Sequence, residues 1–275
     1  MNPRVTLRSI YAARSTIGGF VRRTPLVRSD ALSASTGRAV YLKLENSQET
    51  GAFKIRGAAN RLSKLSEAQR QRGVVTVSTG NHGRAVAAVG QRLGVRVVVC
   101  VPELVLPHKV AAMRAAGAQV VVYGANQDEA EAHAATLAEA EGLTSISPFD
   151  DPDIIAGQGT IGLEILEDLP RVSTVVCPLS GGGLMGGIAV ALKTTDPAIR
   201  TVGVSMARSP AMIASVAAGH PVQLPEEPTL ADSLMGGVGL ENRHSFDLIR
   251  RTVDDYVTLT EAEIGRAMVH ALRHE

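Results

Sequence analysis

Three places in this chain hold residue types, at spacings, that could do chemistry: Lys54, the turn Ser78-Thr79-Gly80-Asn81-His82-Gly83, and the run Ser180-Gly181-Gly182-Gly183-Leu184-Met185-Gly186-Gly187. The glycine run follows the β-branched Thr174-Val175-Val176 and precedes a helix-compatible stretch, 188–193, so it reads as a strand-to-helix junction. At such a junction glycine N–H groups can converge on an anion such as a phosphate, and the helix N-terminus adds partial positive charge. The same glycines would equally serve a structural turn that brings helix and strand close, and the loop alone names no ligand. Lys54 stands where a loop enters a helix, a place where a single lysine is ordinarily a solvated side chain. Taken alone, the Ser-Thr-Gly-Asn turn is a strand end with a helix cap.

The elements that must position these residues follow from hydrophobic periodicity. Leu7, Ile10, Tyr11, Ile17 and Phe20 permit an N-terminal helix ended by Gly18-Gly19, and Thr24-Pro25 forces an extended segment. Residues 40–45 alternate as a half-exposed strand, and Phe53-Lys54-Ile55-Arg56-Gly57 opens a helix to about residue 65. From residue 73 strands (74–78, 96–101, 119–123, 143–146) alternate with helices (81–93, 109–116, 128–141), which predicts a parallel sheet covered on both faces in a compact subdomain. Pro148-Phe149-Asp150-Asp151-Pro152 interrupts the pattern and marks a crossing point. Residues 154–168 read as a helix that Gly157, Gly159 and Gly162 weaken, and 174–176 as a strand buried on both faces. Further strands are expected at 201–205 and 256–259, and a helix at 209–218. Thr260-Glu261-Ala262-Glu263 has capping-box spacing for a final amphipathic helix.

Composition removes several function classes. Hydrophobic residues at 45% and charged residues at 20% are ordinary soluble usage, which argues against disorder. With no Trp, four Phe and four Tyr, the chain lacks the stacking platforms of single-strand nucleic-acid binders. A formal net charge of +1, without a basic stripe, makes nucleic acid a poor partner. No stretch approaches the roughly 20 apolar residues of a membrane span, and the first 20 residues lack a signal-peptide core, so a cytoplasmic protein without a membrane partner is expected. Cys100 and Cys177, each in an apolar strand-like run, read as buried free thiols in a reducing compartment.

Two phosphate ligands fit the glycine run. Gly181, Gly183 and Gly186 satisfy G-x-G-x-x-G, which would suit a dinucleotide in an oxidoreductase. The following strand, however, ends in Ser205 rather than an acid for the ribose, which leaves NADP open but places this reading second. Lysine at a helix start, a hydroxyl-and-amide turn after a parallel strand and a separate phosphate cradle are together what a pyridoxal phosphate site requires.

Thr24-Pro25-Leu26, Gly51-Ala52-Phe53-Lys54-Ile55-Arg56-Gly57-Ala58, Ser78-Thr79-Gly80-Asn81-His82-Gly83, Ala156-Gly157-Gln158-Gly159-Thr160 and Ser180-Gly181-Gly182-Gly183-Leu184 occur in order, and with them the chain resembles the serine/threonine dehydratase family of fold-type-II pyridoxal phosphate enzymes. Within it, the branch associated with ectoine and hydroxyectoine utilisation is a nearer resemblance. The resemblance implies an α/β fold of two parallel or mostly parallel open-sheet domains with the cofactor in the cleft, as in tryptophan synthase β. It implies a large cofactor-binding domain of residues 1–70 plus 148–275, a small domain of 73–147 and a homodimer. Lys54 is then the Schiff-base lysine, Phe53 its neighbour on the cofactor ring and Asn81 the partner of the 3′-oxygen. Ser180, Gly181, Gly182, Gly183 and Leu184 hold the phosphate. Ser78, Thr79, Asn81 and His82 receive the carboxylate of an amino-acid substrate.

The implied reaction is loss of water from a β-hydroxy amino acid to give a 2-oxo acid and ammonia. Thr79, where racemases of the family place an opposite-face base, keeps racemisation as an alternative. Three departures from the family pattern stand out. Ala52 replaces a usual Ser. Ser205 stands where relatives with a divalent-cation site have Glu, so no metal is expected. The Ser, Thr or Cys that meets the pyridine nitrogen would lie past residue 275, which keeps a catalytically impaired cofactor-binding protein in view.

Overall fold

A computed structural model describes residues 5–275; residues 1–4 of the expected large domain lie outside the described residues. The N-terminal part runs through helix α1 (Leu7–Ile17), strand β1 (Leu26–Ser29), helix α2 (Asp30–Thr36) and strand β2 (Val40–Lys43), then helices α3 (Lys54–Ser63) and α4 (Glu67–Arg72). Strands β1 and β2 form an antiparallel pair. Gly18 follows α1 as expected, whereas β1, α2 and α4 are too short for periodicity to reveal.

The βα rhythm from residue 73 folds as predicted. Strands β3 (Val74–Val77), β4 (Val97–Val101), β5 (Gln119–Val122) and β6 (Thr144–Ser145) form a parallel sheet of order β5-β4-β3-β6, linked by helices α5 (Asn81–Leu93), α6 (Pro107–Ala115) and α7 (Gln127–Glu141). Alternate side chains divide between two layers. Val74, Val97, Val99 and Val101 pack with α3, α5 and α6, while Val75, Val98 and Cys100 pack with α7.

The remaining elements are helix α8 (Pro152–Asp168), strand β7 (Thr174–Pro178), helix α9 (Gly183–Thr195), strand β8 (Arg200–Met206), helices α10 (Ala211–Ala218) and α11 (Ser245–Thr252), strand β9 (Asp255–Leu259) and helix α12 (Glu261–His274). Strands β7, β8 and β9 lie parallel, in that order. The expected two-sided burial of 174–176 is not found: Val175 and Cys177 turn into the core, but Val176 is 64% exposed and Thr174 is exposed. An apolar run records hydrophobicity but not how many faces are covered, and here α8 to α11 cover one. Helix α9 also begins earlier than 188, because Gly183 to Gly187 are already helical. The capping box is present, with Glu263 N–H donating to Thr260 Oγ1 and Thr260 N–H to Glu263 Oε2. Both cysteines are free and buried. Among the described residues no helix is long and apolar enough to cross a membrane.

The glycines that weakened the helix at 154–168 have a reason. A Cβ on Gly157 would lie 2.6 Å from the Arg56 carbonyl oxygen and from Gly57 Cα, and one on Gly187 would lie 2.3 Å from the Ile155 carbonyl oxygen. Helix α8 therefore touches α3 on one side and α9 on the other at backbone distance. That contact offsets the roughly 1 kcal/mol helix penalty of each glycine. It also ties the helix that starts with Lys54 to the helix that starts in the glycine run.

Candidate active site

Lys54 is the first residue of α3, and its side chain turns into the fold. Its Nζ donates to the Pro148 carbonyl oxygen at 2.8 Å and lies 5.3 Å from the centre of the Phe53 ring. The residue is half-buried, and desolvation of its amine, with no carboxylate alongside among the described residues, lowers the Lys54 ammonium from the ordinary lysine value to about 8. The solvated reading of this lysine is thus overturned. Phe53, half-buried, packs against the core around β7 and α9.

The turn after β3 places Ser78, Thr79 and Gly80 at the strand's carboxyl end, and α5 starts at Asn81. Gly80 N–H donates to Ser78 Oγ at 3.2 Å, which folds the turn back on itself. Ser78 and Thr79 are half-buried and Asn81 is exposed. His82 is only 2% exposed, and neither ring nitrogen has a hydrogen-bond partner among the described residues. Burial first, and the field of Lys54 second, lower the imidazole to about 3, so it is neutral. The Ile146 carbonyl stands close enough to oppose this shift without reaching hydrogen-bond geometry. A buried polar ring left without partners is an unsatisfied group facing the lysine's surroundings.

The glycine run joins β7 to α9. Gly182 has φ +85, a left-handed conformation suited to glycine, and a Cβ there would lie 2.9 Å from Ile249 and Met212. A Cβ on Gly181 would lie 2.3 Å from the Phe149 ring. Part of the structural reading therefore holds, since the loop is clamped between Phe149 and the α10–α11 side. Its N–H groups remain available. Among the described residues those of Ser180, Gly181, Gly182, Gly183 and Leu184 donate to no loop carbonyl or side chain, and α9 has no side-chain cap. Open donors at the start of a 13-residue helix are what an anionic group needs.

Pro148 and Phe149, which sequence patterning marked only as a crossing point, connect the two halves: one accepts from Lys54 and the next lies on the glycine loop. Asp150 then accepts from the N–H groups of Arg243, His244 and Ser245 at 2.8 Å each, anchoring the start of α11. Periodicity gives no sign of these contacts.

Arg56, within the Lys54 motif, was also assigned no role. Its side chain is fully buried and its guanidinium is bidentate to two carboxylates. Nε and Nη2 donate to Glu45 at 2.9 and 2.7 Å, and Nη1 and Nη2 to Glu164 at 2.6 and 2.9 Å. Nη1 also donates to Thr160 Oγ1 at 3.1 Å. Lys43 Nζ meets Glu164 Oε2 at 2.6 Å, so two cations and two carboxylates balance.

A family model described as pyridoxal-phosphate dependent enzyme matches residues 17–275. The chain is 48% identical over 271 residues to a provisionally named threonine dehydratase of Sinorhizobium fredii, covering 98% of this chain and 82% of that one. It is 43% identical over 268 residues to the L-threonine ammonia-lyase of Thermotoga maritima, covering 98% of this chain and 66% of that longer protein. Among solved structures, maize serine racemase matches with a TM-score of 0.94 at 33% identity, over 99% of this chain and 82% of that one. With the family model spanning almost the whole chain and the fold shared at that level, this chain belongs to the pyridoxal-phosphate-dependent enzymes.

Proposed function

We propose that the chain is an ammonia-lyase that eliminates water from L-threonine or a similar β-hydroxy amino acid, yielding a 2-oxo acid and ammonia. The observation that carries this reading is the half-buried, inward-turned Lys54 amine, lowered to about 8, between a turn that presents His82 and a loop with open N–H donors. Relatives named threonine dehydratase and L-threonine ammonia-lyase support the substrate class. In the same reading, residues 1–70 plus 148–275 form the large domain and 73–147 the small one, in keeping with the two separate parallel sheets. The homodimer and the cytoplasmic setting belong to this proposal as well.

The residues present fit the cofactor. The N–H groups of Ser180, Gly181, Gly182, Gly183 and Leu184 would hold its phosphate, Lys54 would carry it, Phe53 would lie beside its ring and Asn81 would meet the 3′-oxygen. When bound, pyridoxal phosphate supplies the electron sink that makes a Cα–H bond acidic. The turn Ser78, Thr79, Asn81 and His82 orients the substrate carboxylate at the N-terminus of α5, where partial positive charge favours it. Lys54, neutral in part near pH 8, takes the Cα proton at Nζ and hands a proton to the departing β-hydroxyl. Water leaves, and the enamine released hydrolyses to the 2-oxo acid and ammonia.

A second reading, amino-acid racemisation, draws on Thr79, a half-buried hydroxyl in that turn, and on the match to maize serine racemase. Supplying L-threonine and L-serine and measuring both 2-oxo acid and D-isomer separates the two. Oxo acid in excess supports the lyase; D-isomer in excess replaces it with the racemase.

A further inference from the structure

Helix α3 begins with Lys54 and lacks a side-chain N-cap. What holds its first turn is Arg56, two residues on. All five guanidinium N–H groups are used, toward Glu45, two residues past β2, and toward Glu164 and Thr160 on α8. The carboxylates are fixed in turn: Thr24 Oγ1 donates to Glu45 Oε1 at 2.5 Å, Gln48 Nε2 donates to Glu45 Oε2 at 3.3 Å, and Lys43 Nζ meets Glu164.

Two buried and two half-buried charges are a poor way to gain stability. Their desolvation offsets most of their attraction, and well-packed apolar residues of similar volume often do as well or better. A planar fork between two bidentate carboxylates does something apolar packing cannot: it fixes orientation. With a rise of about 1.5 Å per residue, pinning residue 56 sets the height and rotation of residue 54. Helix α8, which supplies Glu164 and Thr160, also touches α9 at Gly187, so the clamp and the glycine loop share one frame.

We propose that Arg56 is the positioning residue of Lys54, its two-carboxylate clamp holding the lysine at the height and rotation from which Nζ meets the cofactor bound at the glycine loop. This rests on the reading of Lys54 as the cofactor lysine.

The test uses Arg56→Lys, which keeps the charge and loses the fork, and a charge-free variant, Lys43→Met/Glu45→Leu/Arg56→Met/Glu164→Leu. Two quantities are measured: the rate at which added pyridoxal phosphate becomes borohydride-fixable on Lys54, and the pH midpoint of Lys54 reductive methylation in the cofactor-free chain, mapped by peptide mass spectrometry. Positioning predicts that Arg56→Lys, with native far-ultraviolet circular dichroism, captures cofactor at least tenfold more slowly. It also predicts a Lys54 midpoint at least one pH unit higher, as the amine gains solvent. The charge-free variant, at equal or greater thermal stability, shows the same two changes. Wild-type capture and an unmoved midpoint in a folded variant of either kind would overturn the proposal. If wild-type cofactor is fixed elsewhere than Lys54, the cofactor reading fails, and the methylation midpoint still decides whether Arg56 sets the environment of Lys54.

Discussion

The Lys54 amine donates to the carbonyl oxygen of Pro148 at 2.8 Å, across a gap of 94 residues in sequence. Among the described residues that bond gives the half-buried lysine a single carbonyl and no carboxylate, and desolvation of its ammonium costs the fold stability. We expect Lys54→Met to raise the stability of the cofactor-free chain at pH 7 by about 1–3 kcal/mol, because a buried charge is replaced by an apolar chain of similar length. The same variant should show no turnover and no borohydride-fixable cofactor. Urea unfolding of both proteins without cofactor checks the first part, and a destabilised variant would contradict it.

Cofactor capture should follow the Lys54 proton. An aldehyde reacts with the neutral amine, and burial lowers the ammonium to about 8. The capture rate should therefore level off above about pH 8 and fall about tenfold per unit below it. Stopped-flow absorbance from pH 6 to 10 reads this directly; a midpoint near the ordinary lysine value would refute the buried setting.

Gly181 and Phe149 should behave as a pair. A methyl group on Gly181 would strike the Phe149 ring, so Gly181→Ala is expected to weaken cofactor affinity at least tenfold by displacing the phosphate loop. Trimming the ring in Gly181→Ala/Phe149→Ala should recover a large part of that loss, a non-additivity expected of residues in contact. Equal affinities of the single and double variants would show that the clash is relieved elsewhere.

His82 sets an acid limit. In the folded chain burial and Lys54 hold its imidazole down at about 3, whereas in the unfolded chain it takes a proton near its ordinary value of 6.5. A lowered folded value gives stability that is present above pH 6.5 and is lost progressively as pH falls toward 3. Between pH 6 and 4 the wild type should lose about 2 kcal/mol more than His82→Gln, measured by urea unfolding without cofactor. Parallel losses in the two proteins would place the acid sensitivity on other groups.

Much of this architecture was legible in the residues. The strand and helix rhythm of 74–146, the helix start at Asn81, the Thr260 capping box and the helix opening at Lys54 all follow from local periodicity and caps, which neighbouring residues determine. The open face of β7 was not legible, because Val176 looks the same whether a second layer covers it or not. Gly157 reads as a helix weakener, and Gly187 as one more residue of the glycine run, until the partners across α8 are known. The Arg56 clamp was hidden for a similar reason: its partner Glu164 lies 108 residues away, and a charged side chain by itself reads as surface. Pro148 and Phe149 read only as a crossing point; three-dimensional proximity makes them the strut between Lys54 and the glycine loop.

The most direct measurement is to load the purified chain with pyridoxal phosphate, reduce it with borohydride and map the modified residue by peptide mass spectrometry. A single cofactor adduct on Lys54, abolished by Lys54→Met, is the expected result. An adduct on another lysine, or none after loading, would contradict the placement of the cofactor between the Ser78–His82 turn and the glycine loop.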